Sequence, residues 1–386
     1  MAEPSHFAII GANITGLTLA LALAKLNYRV SLIDQSKPSL PTGTPPTRTV
    51  ALNPASEKLL TQLGPWETLG PQATPICAMH LWDEEAHTLD LSCESIGTTH
   101  LAQVLPNVAI QQELHRACQQ HTQITQYLGK QPTRLNNTTQ GVRIELDEED
   151  TLTADCVVGA DGQRSWVRAH TLLTGKHHDY QHTAIVTTIR TTTPHEQIAR
   201  QAFLSTGPIG LLPLADPHTM SLIWSIDTTR ATALMGITDT AFLTKLNTAL
   251  GKKLSVTDLL SPRHSLPLTQ HHARGYYEKR AVLIGDAAHH LHPLAGQGAN
   301  LGFADIQALL TALMQYPNLN NLQALRAYQR QRRWANQLML STVKQIHHTF
   351  TSKSWARQTM RQYAMKQANR CHWLKKLAMH YAGGAD

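Results

Sequence analysis

The amino-acid sequence predicts a mixed α/β fold: a parallel-sheet domain, an antiparallel-sheet domain interleaved with it, and a helical C-terminus. Three observations predict it. Two short apolar runs, residues 6–10 and 281–284, each lead into a glycine-containing turn and then a helical stretch, as buried parallel strands with crossover helices do. The section between them is rich in Thr and Pro and carries strand-like runs suited to an antiparallel sheet. The last seventy residues keep helical spacing almost throughout.

In order, residues 6–10 form the first strand, 17–26 an Ala/Leu-rich helix and 29–34 the second strand. Residues 36–49, with prolines at 38, 41, 45 and 46, form a loop, and helical spacing resumes over 53–63. Residues 77–95 alternate loosely and supply strands of the second sheet; 108–120 is helical, and 151–158 returns as a strand. Residues 184–189 and 221–226 are further strands, 281–284 is another buried one, and 299–314 is a helix. No internal repeat or low-complexity linker interrupts this order.

The 386 residues, 42% hydrophobic and 16% charged, suit a globular chain of one large or two ordinary domains. No apolar run is long enough to span a bilayer, and residues 17–26 are interrupted by Thr18 and Lys25. The N-terminus lacks the pattern of a signal peptide. Cys77, Cys93, Cys118, Cys156 and Cys371 are odd in number and form no CxxC pair, which argues against a disulfide framework or zinc site and for a reducing cytoplasm. The net charge of +7 is uneven: residues 306–385 hold twelve Lys and Arg and no Asp or Glu, leaving 22 basic against 27 acidic residues elsewhere.

Chemistry begins at Gly11-Ala12-Asn13-Ile14-Thr15-Gly16. A strand ending in a glycine turn that opens a helix aims backbone N–H groups and the helix's positive end at one point, which suits a pyrophosphate. Asp34, 23 residues after Gly11, is placed to accept hydrogen bonds from a ribose diol. Asn13 stands at the middle glycine of the usual GxGxxG pattern; Asn tolerates a left-handed backbone, but its side chain is expected to crowd the pyrophosphate. An ordinary strand–helix turn is the other reading of this segment alone.

Two later segments are more specific. Val157-Val158-Gly159-Ala160-Asp161-Gly162-Gln163-Arg164-Ser165-Trp166-Val167-Arg168 resembles a motif of the FAD-dependent aromatic hydroxylases. So does Val282-Leu283-Ile284-Gly285-Asp286-Ala287-Ala288-His289, continuing to His292-Pro293-Leu294-Ala295-Gly296-Gln297-Gly298-Ala299-Asn300-Leu301-Gly302. The stretch from His289, with Asp179-Tyr180, Ala184-Ile185-Val186, Pro194-His195, Gly207 through Leu214, and Trp224, is similar to the ubiquinone-biosynthesis hydroxylase branch of that family. The resemblance runs from Phe7 to about Gly383, with departures at Asn13, at Asp34 (usually glutamate) and at Tyr180-Gln181-His182.

That resemblance implies a para-hydroxybenzoate-hydroxylase-like architecture with FAD as cofactor. A Rossmann-like FAD-binding domain would comprise residues 1–75, 100–175 and 275–325, a substrate-binding domain 76–99 and 176–274, and a C-terminal helical region 326–386. It implies cofactor contacts from Gly11, Ala12, Asn13, Gly16 and Asp34, from Arg48 and Asn107, and from Asp161 and Gly162. Gly285, Asp286, Pro293, Gly296, Gln297, Gly298, Ala299 and Asn300 complete the set: Asp286 on the ribityl chain, the 296–300 turn and the helix behind it facing the isoalloxazine. No metal and no catalytic side chain is assigned. His289, His290 and His292 are expected to pack or orient their loop, and the pairs His177/His178, His271/His272 and His347/His348 to lie on the surface.

The implied activity is hydroxylation of the aromatic ring of a polyprenylated ubiquinone precursor through a flavin C4a-hydroperoxide, with O2 as oxidant and NAD(P)H or another reductant as electron donor. Hydroxylation of an unrelated small aromatic, or a non-catalytic subunit of the quinone-biosynthesis assembly, are the other readings. The acid-free C-terminal helices point to a membrane surface or a quinone-biosynthesis complex as partner, to a cytoplasmic location peripheral to the inner face of the membrane, and away from nucleic acid. A solvated face of a helical bundle would give the same charge pattern.

Overall fold

A computed structural model describes residues 5–38, 48–84, 87–147, 150–290 and 298–351. Its centre is a six-stranded sheet in the order Tyr277–Glu278, Ala281–Leu283, Cys156–Gly159, His6–Ile10, Arg29–Asp34, Ile124–Leu128. The last five are parallel, and Tyr277–Glu278 adds an antiparallel edge. Phe7, Ala8, Ile9, Val157, Val158, Val282 and Leu283 are all 0% exposed, so these strands are covered on both faces and read as continuous apolar runs.

The first helix is Ile14–Lys25, three residues earlier than its apolar spacing predicts. Asn13 causes the shift: its side-chain Oδ1 accepts from the Ile14 N–H at 2.7 Å and starts the helix at once. Asn53 likewise caps Pro54–Leu63, accepting from the Ser56 N–H at 2.9 Å. The helix Asn107–Gln119 follows the strand Ala102–Pro106, which pairs with Thr49–Leu52 and Thr74–Ile76 in a three-stranded sheet. Thr49 therefore begins a strand rather than ending the loop.

One expected strand is two. Residues 151–158 divide at Asp155 into Thr151–Ala154, which joins an antiparallel three-stranded sheet with Val142–Leu146 and Pro132–Asn137, and Cys156–Gly159 of the central sheet. Asp155 is the pivot: its N–H donates to the His6 carbonyl and its carboxylate accepts from the His6 N–H, both at 2.8 Å.

The second large sheet has nine strands built around the 17-residue strand Gly175–Thr191, flanked by Thr219–Asp227 and His264–Ala273. Ala78–Asp83 and Thr88–Ser92 extend its far edge. Alternate residues take opposite faces. Trp82, Ile185, Leu204, Leu222, Trp224 and Ile226 pack outward against Phe242 and Leu246. Ala184, Val186 and Leu268 face the other way, as do Ala199 and Leu214, which meet Ala51, Ile76 and Val104 of the small sheet. The inner face thus looks toward the parallel half.

Helices Gly298–Gln315 and Gln323–Thr351 close that half and are joined by a buried polar network. Asp305, 0% exposed, accepts from Gly285 N–H at 2.9 Å and from Arg332 Nε at 2.7 Å, and it bonds His289 Nε2. Asn336 adds a 3.2 Å bond to the same carboxylate and another to the Tyr276 hydroxyl. Burial opposes the Asp305 charge, but the opposite charges of His289 and Arg332 outweigh it and hold the carboxyl well below the usual range. His271 also departs from expectation: it is 2% exposed, not superficial, because strand Gly175–Thr191 brings Gly175 against its ring. Among the described residues, no helix is long and apolar enough to cross a membrane.

Candidate functional site

A cleft of about 630 Å³ lies across the carboxyl ends of the parallel strands, lined by Ile10 and Gly11, by Asp34, and by Ala160 and Asp161. Ligands of open α/β sheets bind at this edge, where the strands run out into turns. The turn is tight. Gly11 has φ +107°, and a Cβ there would lie 2.5 Å from the Ala160 carbonyl oxygen, so only glycine brings the two loops together. At Gly16 a Cβ would lie 1.8 Å from the Gly11 oxygen.

Asn13 lines the cleft with φ −90°, an extended conformation that makes no use of the left-handed backbone Asn tolerates. Its side chain holds the Ile14 amide, one of the helix N-terminal donors an anion would use. Asp34 also lines the cleft, and both its oxygens accept from backbone amides: Oδ2 from Ala12 and Oδ1 from Ser36, each at 2.7 Å. Each oxygen keeps a further lone pair for a ligand hydroxyl. Ala12 and Gly16 build the turn behind the wall and do not line it.

Asp161 caps the short helix Trp166–Ala169 through Oδ2, which accepts from the Trp166 and Val167 amides at 2.6 and 3.1 Å. Burial pushes its carboxyl up, against the hydrogen bonds from Ser165, Val167 and Trp166 that pull it down. Its Oδ1 is sealed from solvent with no donor, and so is Oδ1 of Asn107. Both residues line the cleft, as do Gly162 and Arg48, whose carbonyl accepts from the Asn107 N–H at 3.0 Å. Asp286, Gly298 and Ala299 complete that wall, with the Asp286 carboxylate 3.1 Å from His290 Nδ1.

Besides Ala12 and Gly16, two more proposed residues face elsewhere. Gly285, at φ +57°, packs on Thr15 and donates to Asp305. Asn300 ties its helix to the 51–56 segment: Oδ1 accepts from the Asn53 N–H and Ser56 hydroxyl, and Nδ2 donates to the Ala51 carbonyl at 2.9 Å. Pro293, Gly296 and Gln297 lie outside the described residues, as does His292. Thr15, Arg164 and Trp166 line the cleft without having been singled out, although all three sit inside the quoted motifs. Gln131 and Pro132 also line it, and no sequence signal marks them.

An FAD molecule fits this donor and acceptor set. The side-chain-free turn at Gly11 admits a diphosphate beside the helix N-terminus, and the stranded acceptors of Asp161 and Asn107 match the hydroxyl donors of a ribityl chain or ribose.

Comparison with known proteins agrees. The family described as FAD binding domain matches residues 5–342. The 3-demethoxyubiquinol 3-hydroxylase of Escherichia coli (strain K12) is 28% identical over 389 residues, covering 99% of each chain. Ubiquinone hydroxylase UbiL of Rhodospirillum rubrum is 30% identical over 381 residues, covering 97% of this chain and 89% of its own. Among solved structures, p-nitrophenol 4-monooxygenase PnpA from Pseudomonas putida DLL-E4 has a TM-score of 0.80 at 16% identity, covering 100% of this chain and 99% of that one. Klebsiella pneumoniae HpxO, solved with FAD and uric acid, has a TM-score of 0.77 at 15% identity, with 99% and 96% covered. These two likenesses establish the fold. The family match and the near whole-length likeness to the two hydroxylases make this chain an FAD-dependent monooxygenase, a member of the FAD-binding family that includes the ubiquinone-biosynthesis hydroxylases.

Proposed function

We propose that the protein hydroxylates the aromatic ring of a polyprenylated ubiquinone precursor, using O2 and electrons from NAD(P)H or another reductant. The observation that carries this reading is the likeness to 3-demethoxyubiquinol 3-hydroxylase over the whole length of both chains. Bound FAD, once reduced, supplies the activation of O2 for transfer of one oxygen atom to an electron-rich ring. The chain's own part is to bind, orient and exclude water. Gly11, the backbone at Asn13, and Asp34 would hold the adenosine diphosphate half of the cofactor, while Arg48, Asn107, Asp286, Gly298 and Ala299 would hold the flavin half. The inner face of the nine-stranded sheet offers the ring an apolar wall of Ala184, Val186, Ile223 and Leu266. The same proposal divides the chain into an FAD-binding domain (1–75, 100–175, 275–325), a substrate domain (76–99, 176–274) and a C-terminal helical region (326–386).

A substrate with a polyprenyl tail resides in a membrane, so its enzyme must reach one. On helix Gln323–Thr351 the exposed residues Arg326, Arg330, Trp334 and Leu338 follow one another at four-residue spacing and share one face. Trp334 is 75% exposed and Leu338 51%, an arrangement that suits insertion at an anionic lipid surface on the inner side of the membrane.

The decisive experiment is the quinone profile of cells lacking this protein. A polyprenylated precursor missing one ring hydroxyl should accumulate and disappear on complementation; an unchanged profile overturns the substrate assignment. Flotation with vesicles containing phosphatidylglycerol tests the surface: Trp334→Glu with Leu338→Glu should abolish co-flotation.

A further inference from the structure

A second cavity lies on the outer face of the nine-stranded sheet, beneath the helices Thr228–Met235 and Asp239–Leu250. Its volume of about 740 Å³ is comparable to that of the cofactor cleft, and the sheet separates it from the inner face assigned to the ring. Trp82, Leu204, Trp224 and Ile226 form its floor, and Leu234 and Ala249 its helical wall. Trp224 is 4% exposed, and its buried indole N–H has no acceptor.

The mouth has the opposite character. Arg230, Lys245 and Lys253 line it, all exposed, and none has a carboxylate partner among the described residues. Two acids also line the cavity, so its three cations leave it net positive rather than free of negative charge. Asp83 accepts from the His87 N–H at 3.0 Å, and Glu84 accepts from both the N–H and the hydroxyl of Ser205 at 2.8 Å. A cavity of this size lies within the range of about 300–1,000 Å³ that holds small ligands. Apolar walls under a cationic rim are complementary to one shape of molecule: a single apolar chain ending in an anion.

We propose that this cavity binds a long-chain acyl carboxylate, with the chain against Trp82, Trp224 and Leu234 and the carboxylate among Arg230, Lys245 and Lys253. The site is separate from the cofactor cleft and from the ring, so it gives the enzyme a means of sensing or gripping lipid in addition to its substrate. A nucleotide is a poor match, because the floor offers no backbone cradle for phosphate and almost no polar partner for a base.

Equilibrium dialysis of the FAD-loaded protein against oleate, below its micelle concentration, tests the proposal. One saturable site is expected, with oleyl alcohol binding at least tenfold more weakly. Ala249→Trp should fill the cavity and abolish binding while leaving FAD content unchanged. Lys245→Glu with Lys253→Glu should weaken oleate at least tenfold. If Ala249→Trp fails to fold, the surface charge reversal decides alone. Oleate binding that survives both variants, equal binding of the alcohol, or no binding at all overturns the proposal. So does a monomer–dimer shift caused by these substitutions without oleate uptake, which would assign the cavity to a second copy of the chain.

Discussion

Replacing Asn13 by Gly should tighten FAD binding. In the protein as it stands, the Asn13 Oδ1 holds the Ile14 N–H at 2.7 Å, and that amide belongs to the helix end that faces an incoming diphosphate. Either the cofactor does without this donor or the side chain must first let go. Releasing a neutral hydrogen bond of this kind costs about 0.5–1.5 kcal/mol net. Glycine leaves the amide free from the start, and the lost helix cap, worth a few tenths of a kcal/mol for Asn to Gly, weighs on free and loaded protein alike. The difference of about 1 kcal/mol corresponds to a roughly fivefold lower Kd. Titrating stripped protein with FAD and following flavin fluorescence measures it. Asn13→Asp, which sets a negative charge beside the diphosphate, should move the Kd the other way. An unchanged or higher Kd for Asn13→Gly, in a variant that melts like the parent, would refute the idea that this side chain competes with the cofactor.

Asp305→Asn should cost about 3–5 kcal/mol in urea unfolding, because it strips the carboxylate from Arg332 and His289 inside the protein. The Asp305 carboxyl is held low in the fold, so its contribution is present at neutral pH and lost as pH falls below the ordinary carboxylate range; the variant should lack that acid limb. Burial, then the positive charge of Arg168 and the neighbouring histidines, lowers His271 from 6.5 to about 3. Across that window the unfolded chain takes up a proton that the fold refuses, so stability falls with pH, and His271→Leu should make the slope shallower by up to one proton.

The parallel half of the fold was legible because its strands are apolar on both faces and its turns need glycine. Arg29–Asp34 matches its sequence boundaries for this reason. Residues 151–158 were not legible as two strands, since period-two spacing says nothing about which sheet a strand joins. Only the backbone pairing of Asp155 with His6 divides them. The cleft shows the same limit. Asp161 and Asp286 stand in motifs and line it, whereas Gln131 and Pro132 arrive from a small sheet that no local pattern announces. Asn300 sits in a motif yet serves the scaffold, because its three hydrogen bonds go to residues about 250 positions away. His271 was placed at the surface on composition alone; its burial depends on a glycine, Gly175, nearly a hundred residues upstream.

The cofactor cleft draws its walls from stretches as distant as residues 10–15 and 298–299. Synthesis proceeds from the N-terminus, so the diphosphate turn leaves the ribosome first and the Gly298–Ala299 wall only after most of the chain has been made. A chain stalled before that point has half a cleft. It can hold FAD only through the adenosine end, without the walls that would grip the flavin. Loading of the whole cofactor is therefore a late event, which must wait until the helix Gly298–Gln315 has been made. In a cell short of riboflavin, the species that accumulates would be a folded, colourless enzyme, less resistant to heat than its loaded form by the free energy of the missing ligand.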